Sequence, residues 1–289
     1  MKIRSTENEH DFQTRLFRRL NAYQLQGLLI NSEDKFSAGV EAVQYEEGEE
    51  YRVPFSDEEL WAKYVLTEQI GIPMYLVYYW RRLYYILQVE KVKTGKAQPH
   101  LINKTGLSDE GFAKWWKELK GMPQTKQLNN GAGVRADNTV FDSTLRRYGL
   151  EWGGNIDGFV LSKSNDEVLC VIDNISVSVD NLSGNNADPG AYFHSPNPKH
   201  GPRYEGWYGA VKLSNQLNVP HMLLTIDKKH PQTEHVGMTF IDELSPDGLF
   251  YVENISPNNR VISGIDNIAL TYANLISRMH APSLERKED

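Results

Sequence analysis

The sequence predicts an α/β fold, a central mixed β-sheet flanked by helices. Three observations predict it. Apolar runs of strand length, such as Met74–Trp80, Ile156–Ser162 and His221–Ile226, alternate with segments whose apolar residues recur at helical spacing. Two of the helical segments end in the same punctuation, Gly71-Ile72-Pro73 and Asn218-Val219-Pro220, and lead straight into an apolar run. The composition is that of a soluble globular chain, with 40% hydrophobic and 24% charged residues.

The elements follow in order. Phe12, Leu16, Leu20 and Tyr23 lie close to a 3.6 period and predict an amphipathic helix over residues 8–26. Gln26–Asn31 is a short apolar run, and Gly39–Tyr45 alternates as a strand does. Ser56-Asp57-Glu58-Glu59 fits a capping box and starts a helix that runs to about residue 70. Met74–Trp80 and Leu83–Val89 predict a hairpin that turns at Arg81-Arg82. Phe112–Leu119 and Asn138–Tyr148 are helical candidates. Ile156–Ser162 and Glu167–Val177 follow as strands. Asp180–Pro202 is a long loop rich in Asn, Gly and Pro. Glu205–Leu217 predicts a helix, His221–Ile226, Val236–Ile241 and Phe250–Asn254 predict strands, and Ile265–Met279 predicts a closing helix.

The two parts of the chain share a pattern. Trp61…Gln69-Ile-Gly-Ile-Pro73-Met-Tyr-Leu-Val aligns with Tyr208…Gln216-Leu-Asn-Val-Pro220-His-Met-Leu-Leu, with the same aromatic-to-proline spacing. Residues 1–103 and 104–289 therefore read as two α/β halves, the first a candidate degenerate repeat with a structural or recognition role. The alternative is that helix, turn, proline and strand is common α/β punctuation.

Bulk properties remove several classes of function. Cys170 is the only cysteine, so no disulfide framework and no Cys-rich zinc site forms within the chain. The N-terminus has no apolar core of the secretory kind, and Ile70–Val89 is interrupted by Arg81 and Arg82. A cytoplasmic location away from membranes is expected. P-loop, G-x-G-x-x-G, G-x-S-x-G and H-E-x-x-H patterns do not occur. The net charge of −7 argues against non-specific coating of nucleic acid. Basic residues gather locally at 112–147 and at Lys199–Arg203, while residues 41–59 are acidic.

The stretch with the most chemistry is Gly153–Ile175. Asp157 and Asp173 each sit in an apolar run, and a short polar turn joins the runs. Paired carboxylates are the ligands a hard cation such as Mg²⁺ or Mn²⁺ needs. An unpaired carboxylate inside an apolar strand costs several kcal/mol, so Asp173 requires a metal, a cationic partner or a strand end. Asp157 before Gly158 also fits an Asx-type turn.

Asn155-Ile-Asp157-Gly-Phe-Val, Val171-Ile-Asp173-Asn-Ile175, Trp207-Tyr-Gly-Ala-Val-Lys212 and Val219-Pro-His-Met-Leu-Leu-Thr225 together resemble the restriction-endonuclease-like, PD-(D/E)XK, nuclease superfamily. The resemblance covers residues 138–242. It implies a Mg²⁺- or Mn²⁺-dependent endonuclease, with Asp157 and Asp173 as metal ligands and DNA ahead of RNA as substrate. Where that family has its lysine, two residues after the second acid, this chain has Ile175. Lys212 on the following helix is the candidate to supply the ammonium, and Glu205 a candidate additional acid. Lys199 and Arg203, in a loop that also holds His194 and His200, are the candidates to grip the phosphate backbone. A homo-oligomer is compatible with all of this. The competing expectation is a catalytically inactive protein on the same fold that binds nucleic acid or a protein. The missing lysine and the 15 tyrosines favour it. A DNA-mimicking inhibitor built on the acidic segment is a third. Asp34 and Glu41, a fainter copy of the acidic pair, read as plain surface acids.

Overall fold

In the computed structural model, residues 7–45, 53–122 (save 94 and 104), 140–177 (save 151 and 153), 208–227, 235–244, 250–253 and 262–279 are described. The protein is α/β, with mixed β-sheet and flanking helices. It forms two compact units, one of residues 24–156 with 165–167, the other of residues 1–23, 157–164 and 168–289.

The first unit is built on β1 (Ala22–Ile30), β2 (Phe36–Gln44), β3 (Met74–Trp80), β4 (Leu83–Lys91) and β5 (Ala97–Leu101). β1 and β2 form an antiparallel hairpin. The helix α2 (Asp57–Gln69) then carries the chain to β3, which pairs parallel to β2. β4 and β5 continue antiparallel. Ser56 caps α2 as its sequence predicts, accepting from the Glu59 N–H at 3.1 Å. Two further helices, α3 (Asp109–Leu119) and α4 (Val140–Arg147), help close an aromatic core. Tyr84 stacks on Phe112 with centroids 4.3 Å apart, and Trp116 on Trp152 at 5.4 Å. Tyr78, Tyr79 and Tyr84 are buried, so part of the tyrosine surplus fills this core instead of lining a surface.

The second unit begins with α1 (Glu7–Leu20). The predicted helix over 8–26 stops early, because Asn21 takes a left-handed φ of 55° and the following residues enter β1. β6 (Gly154–Leu161) and β7 (Val168–Val177) form an antiparallel hairpin. The helix here called α5 (Tyr208–Leu217) leads to β8 (His221–Asp227), parallel to β7. β9 (His235–Leu244) runs antiparallel to β8, and pairs with both β10 (Phe250–Glu253) and β11 (Ile262–Ser263). The last helix, α6 (Ile265–Met279), packs with α1. Cys170 and Ile172 from β7 and Met222, Leu224 and Ile226 from β8 join Phe12, Leu16, Ile268 and Tyr272 in one core. Strand alternation turns Asp173 and His221 to the opposite face, the one that α5 covers.

Each unit thus repeats hairpin, helix, parallel strand, antiparallel strand. The correspondence reaches single hydrogen bonds. Gly71 and Asn218 both take left-handed φ, at 73° and 55°. Ile72 N–H donates to Thr67 O, and Val219 N–H to Ser214 O, each at 3.0 Å. Pro73 O accepts from Gly39 N–H, and Pro220 O from Val171 N–H. Thr67 Oγ1 donates to Tyr64 O, and Ser214 Oγ to Val211 O.

Candidate functional site

Asp157 lies inside β6 rather than in a turn. Gly158 pairs with Ile172, and one further step of that antiparallel register sets Asp157 opposite Asp173 on the same face of the hairpin. The Asn174 N–H donates to Asp157 Oδ2 at 3.1 Å, which ties the first carboxylate to the second strand. Gly158 is required by a different neighbour than a turn. A Cβ there would lie 3.1 Å from both Ile172 and the Phe17 ring, so glycine lets α1 sit close on β6.

Asp173 is only 4% exposed and is partnered by His221, whose Nε2 lies 2.7 Å from Oδ2. His221 is the first residue of β8, and Asp173 pairs with Leu223 in register, so the imidazole is the diagonal neighbour of the carboxylate. Burial of this pair is tolerable only because each polar group meets the other. Among the described residues, the Nδ1 of His221 meets no hydrogen-bond partner. His221 carries no predicted role in the motifs read from the sequence. Its signal was a histidine opening an otherwise apolar strand directly after Val219-Pro220.

Lys212 sits on α5 at half-buried exposure, between the buried Val211 and Leu213. Ile175 continues β7 opposite Thr225. Lys199, Arg203, Glu205, His194 and His200 fall outside the described residues. Among the described residues, no group of three or more His, Cys, Asp and Glu converges as a metal cage would. A cation held by Asp157 and Asp173 would have two protein oxygens from these strands, and Mg²⁺ commonly completes its shell with water and substrate oxygens. Two hard carboxylate oxygens suit Mg²⁺ or Mn²⁺ better than a soft metal.

The first unit holds a counterpart of this site with different chemistry. Gly27 pairs with Val40, which sets Gln26 opposite Glu41. Gln26 Oε1 accepts from Ala42 N–H at 2.8 Å, as Asp157 accepts from Asn174 N–H. Glu41 pairs with Leu76 of β3, three residues after Pro73, just as Asp173 pairs with Leu223 three residues after Pro220. Glu41 is not the surface acid its sequence context suggests. It is buried, and Lys63 from α2, itself 2% exposed, bonds to its Oε1 at 2.7 Å. Lys63 also reaches Glu59 Oε1 at 3.2 Å and the Gln24 carbonyl. Burial, outweighing Lys63, raises the Glu41 carboxyl above its ordinary value. Asp34 is an exposed turn residue with a left-handed φ of 58° and has no place in this arrangement.

No family model, curated protein or solved structure matches the chain. Among the described residues, no helix is long and apolar enough to cross a membrane.

Proposed function

We propose that the chain is a Mg²⁺- or Mn²⁺-dependent nuclease of the restriction-endonuclease-like kind, acting on DNA through Asp157 and Asp173. One observation carries this reading: extending the register of Gly158 with Ile172 by one step sets the residues Asp157 and Asp173 opposite each other on β6 and β7, at the hairpin whose second strand pairs parallel to β8. That is the placement the resemblance implies for the metal-binding acids. The corresponding positions of the first unit, Gln26 and Glu41, have one acid neutralised by Lys63 and one replaced by an amide. We read the units as diverged copies, one carrying the chemistry and the other a buried Lys–Glu pair.

Within this reading, Asp157 is held by the Asn174 amide and Asp173 is oriented by His221. When bound, the divalent cation lowers the pKa of a coordinated water and offsets charge developing on the phosphate. Lys212 on α5 is the candidate for the cationic group that the family has at the position of Ile175. Lys199 and Arg203 hold the phosphate backbone.

The test is cleavage of supercoiled plasmid and labelled oligonucleotides with Mg²⁺ or Mn²⁺. Wild type should cut, and Asp157→Asn and Asp173→Asn should each lose at least about 100-fold. Absence of metal-dependent cleavage on DNA and RNA alike would sink the proposal. A second reading, a nuclease-fold protein that binds without cutting, draws on the hydrogen bond that already occupies Asp173 Oδ2 with His221. It predicts nucleic-acid or protein binding unchanged by Asp157→Asn.

A further inference from the structure

The turn between β3 and β4 is built against its own backbone preference. Trp80 pairs with Leu83, leaving a two-residue connection of Arg81 and Arg82. Arg81 takes a left-handed φ of 53°. Asn, Asp or Gly accept that conformation at lower cost than a long side chain such as Arg. The position therefore gives up stability to place a guanidinium there. The guanidinium carbon lies 4.1 Å from the centroid of the Trp80 ring, a stacked arrangement at the exposed tip of the hairpin.

A second guanidinium is fixed beside it. Arg82 is exposed, yet its Nε stands 3.6 Å from Asp109 Oδ2. The same oxygen takes Arg147 Nη1 from the end of α4. Asp109 is buried and anchored further by the hydroxyls of Tyr84 and Thr144, each 3.3 Å from Oδ1. One rigid carboxylate thus organises two arginines. Half-buried Tyr148 lies in the field of Arg82, Arg147, Asp109 and Glu110. Arg146 is exposed on the preceding turn of chain. Asp109, Glu110 and Asp142, the last one helical turn before Arg146, are the acids of these segments, so Arg81, Arg82, Arg146 and Arg147 leave a small cationic excess on a protein of net charge −7. Fixed guanidinium groups interleaved with Trp and Tyr suit a phosphate backbone and the bases beside it.

We propose that this tip, Trp80 to Arg82 with Arg147 and Tyr148, is a nucleic-acid docking surface that grips the phosphate backbone. It rests on the nucleic-acid reading above, but does not require cleavage. The test uses the full chain, fluorescein-labelled single- and double-stranded oligonucleotides, and anisotropy in EDTA across a salt series. Arg81→Asn is the informative change, because Asn suits the left-handed backbone while removing the guanidinium. Combined with Arg82→Gln, it should leave the melting temperature equal or higher, weaken binding by at least about tenfold, and lower the log–log salt slope by about one per lost phosphate contact. Unchanged affinity and slope would overturn the proposal. So would failure of the wild type to bind any oligonucleotide at low salt, or displacement of the oligonucleotide by poly-glutamate as readily as by unlabelled DNA. Wild-type binding that depends on these arginines without any cleavage would leave the docking surface standing and remove the nuclease. Cleavage and binding untouched by the two changes would do the reverse.

Discussion

Asp173 and Glu41 occupy matching strand positions, and each is buried against one cation-capable partner. Asp173 has His221 from the neighbouring strand; Glu41 has Lys63 from the helix. Sequence could mark Asp173 as needing a partner, because it interrupts an apolar run. It could not identify that partner, because His221 lies in another run and meets Asp173 only through strand register. Glu41 was harder still: it lies between Val40 and Ala42, but it also opens the acidic stretch 41–59, and the lysine that meets it comes from a helix, 22 residues further on. Lys63→Met should destabilise by about 3–5 kcal/mol, since it strands a buried carboxylate, and adding Glu41→Leu should recover much of the loss. Urea unfolding of both variants checks this, and additive costs would contradict it. The raised Glu41 carboxyl also sets a pH sign. Its contribution is greatest below the ordinary carboxyl value and is lost as pH rises through the folded one, so Glu41→Gln should flatten the stability profile across that window. Cys170 is simpler. Burial pushes its thiol up to about 12, so thiol reagents should label it only after unfolding. Rapid labelling of native protein would contradict its place in the core.

At the scale of elements, most of the order was legible, because Ser56, Gly71, Pro73, Asn218 and Pro220 punctuate helices by local backbone chemistry. The errors fall where local signals were ambiguous. Residues 21–26 continue an apolar period that suits helix, but Asn21 turns left-handed and Ala22 begins a strand. β5, with the sequence Ala-Gln-Pro-His-Leu, carries little strand signal and owes its place to β4. The tight contact of α2 on β2 was invisible beforehand. A Cβ at Gly39 would stand 2.5 Å from Thr67 Cγ2 and 3.1 Å from Met74 Sδ. Gly39→Ala should therefore cost about 1–3 kcal/mol through forced displacement of the helix. An unchanged unfolding midpoint would mean that α2 sits further from the sheet. Val171 takes the matching place in the other unit, pairing with His221 as Gly39 pairs with Met74.

For the whole molecule, the shared aromatic-to-proline spacing was the one sequence trace of two similar parts. The structure extends it to matched registers, matched helix caps and matched carboxylate positions. In sequence Asp34 and Glu41 read as a fainter copy of the acidic pair; strand register instead sets Gln26 and Glu41 at those positions. That mismatch could not be read from spacing, because the two hairpins have different turns. Among the described residues, 154–177 and 208–227 hold two acids at opposed register positions and a lysine on the following helix, which is where the proposed metal chemistry can be tested. The direct measurement is an anomalous difference map from crystals soaked in Mn²⁺. A peak within coordination distance of both Asp157 and Asp173, absent in Asp157→Asn, is the predicted result. A peak confined to other acids, or none at these carboxylates with Mn²⁺ in large excess, would contradict the account.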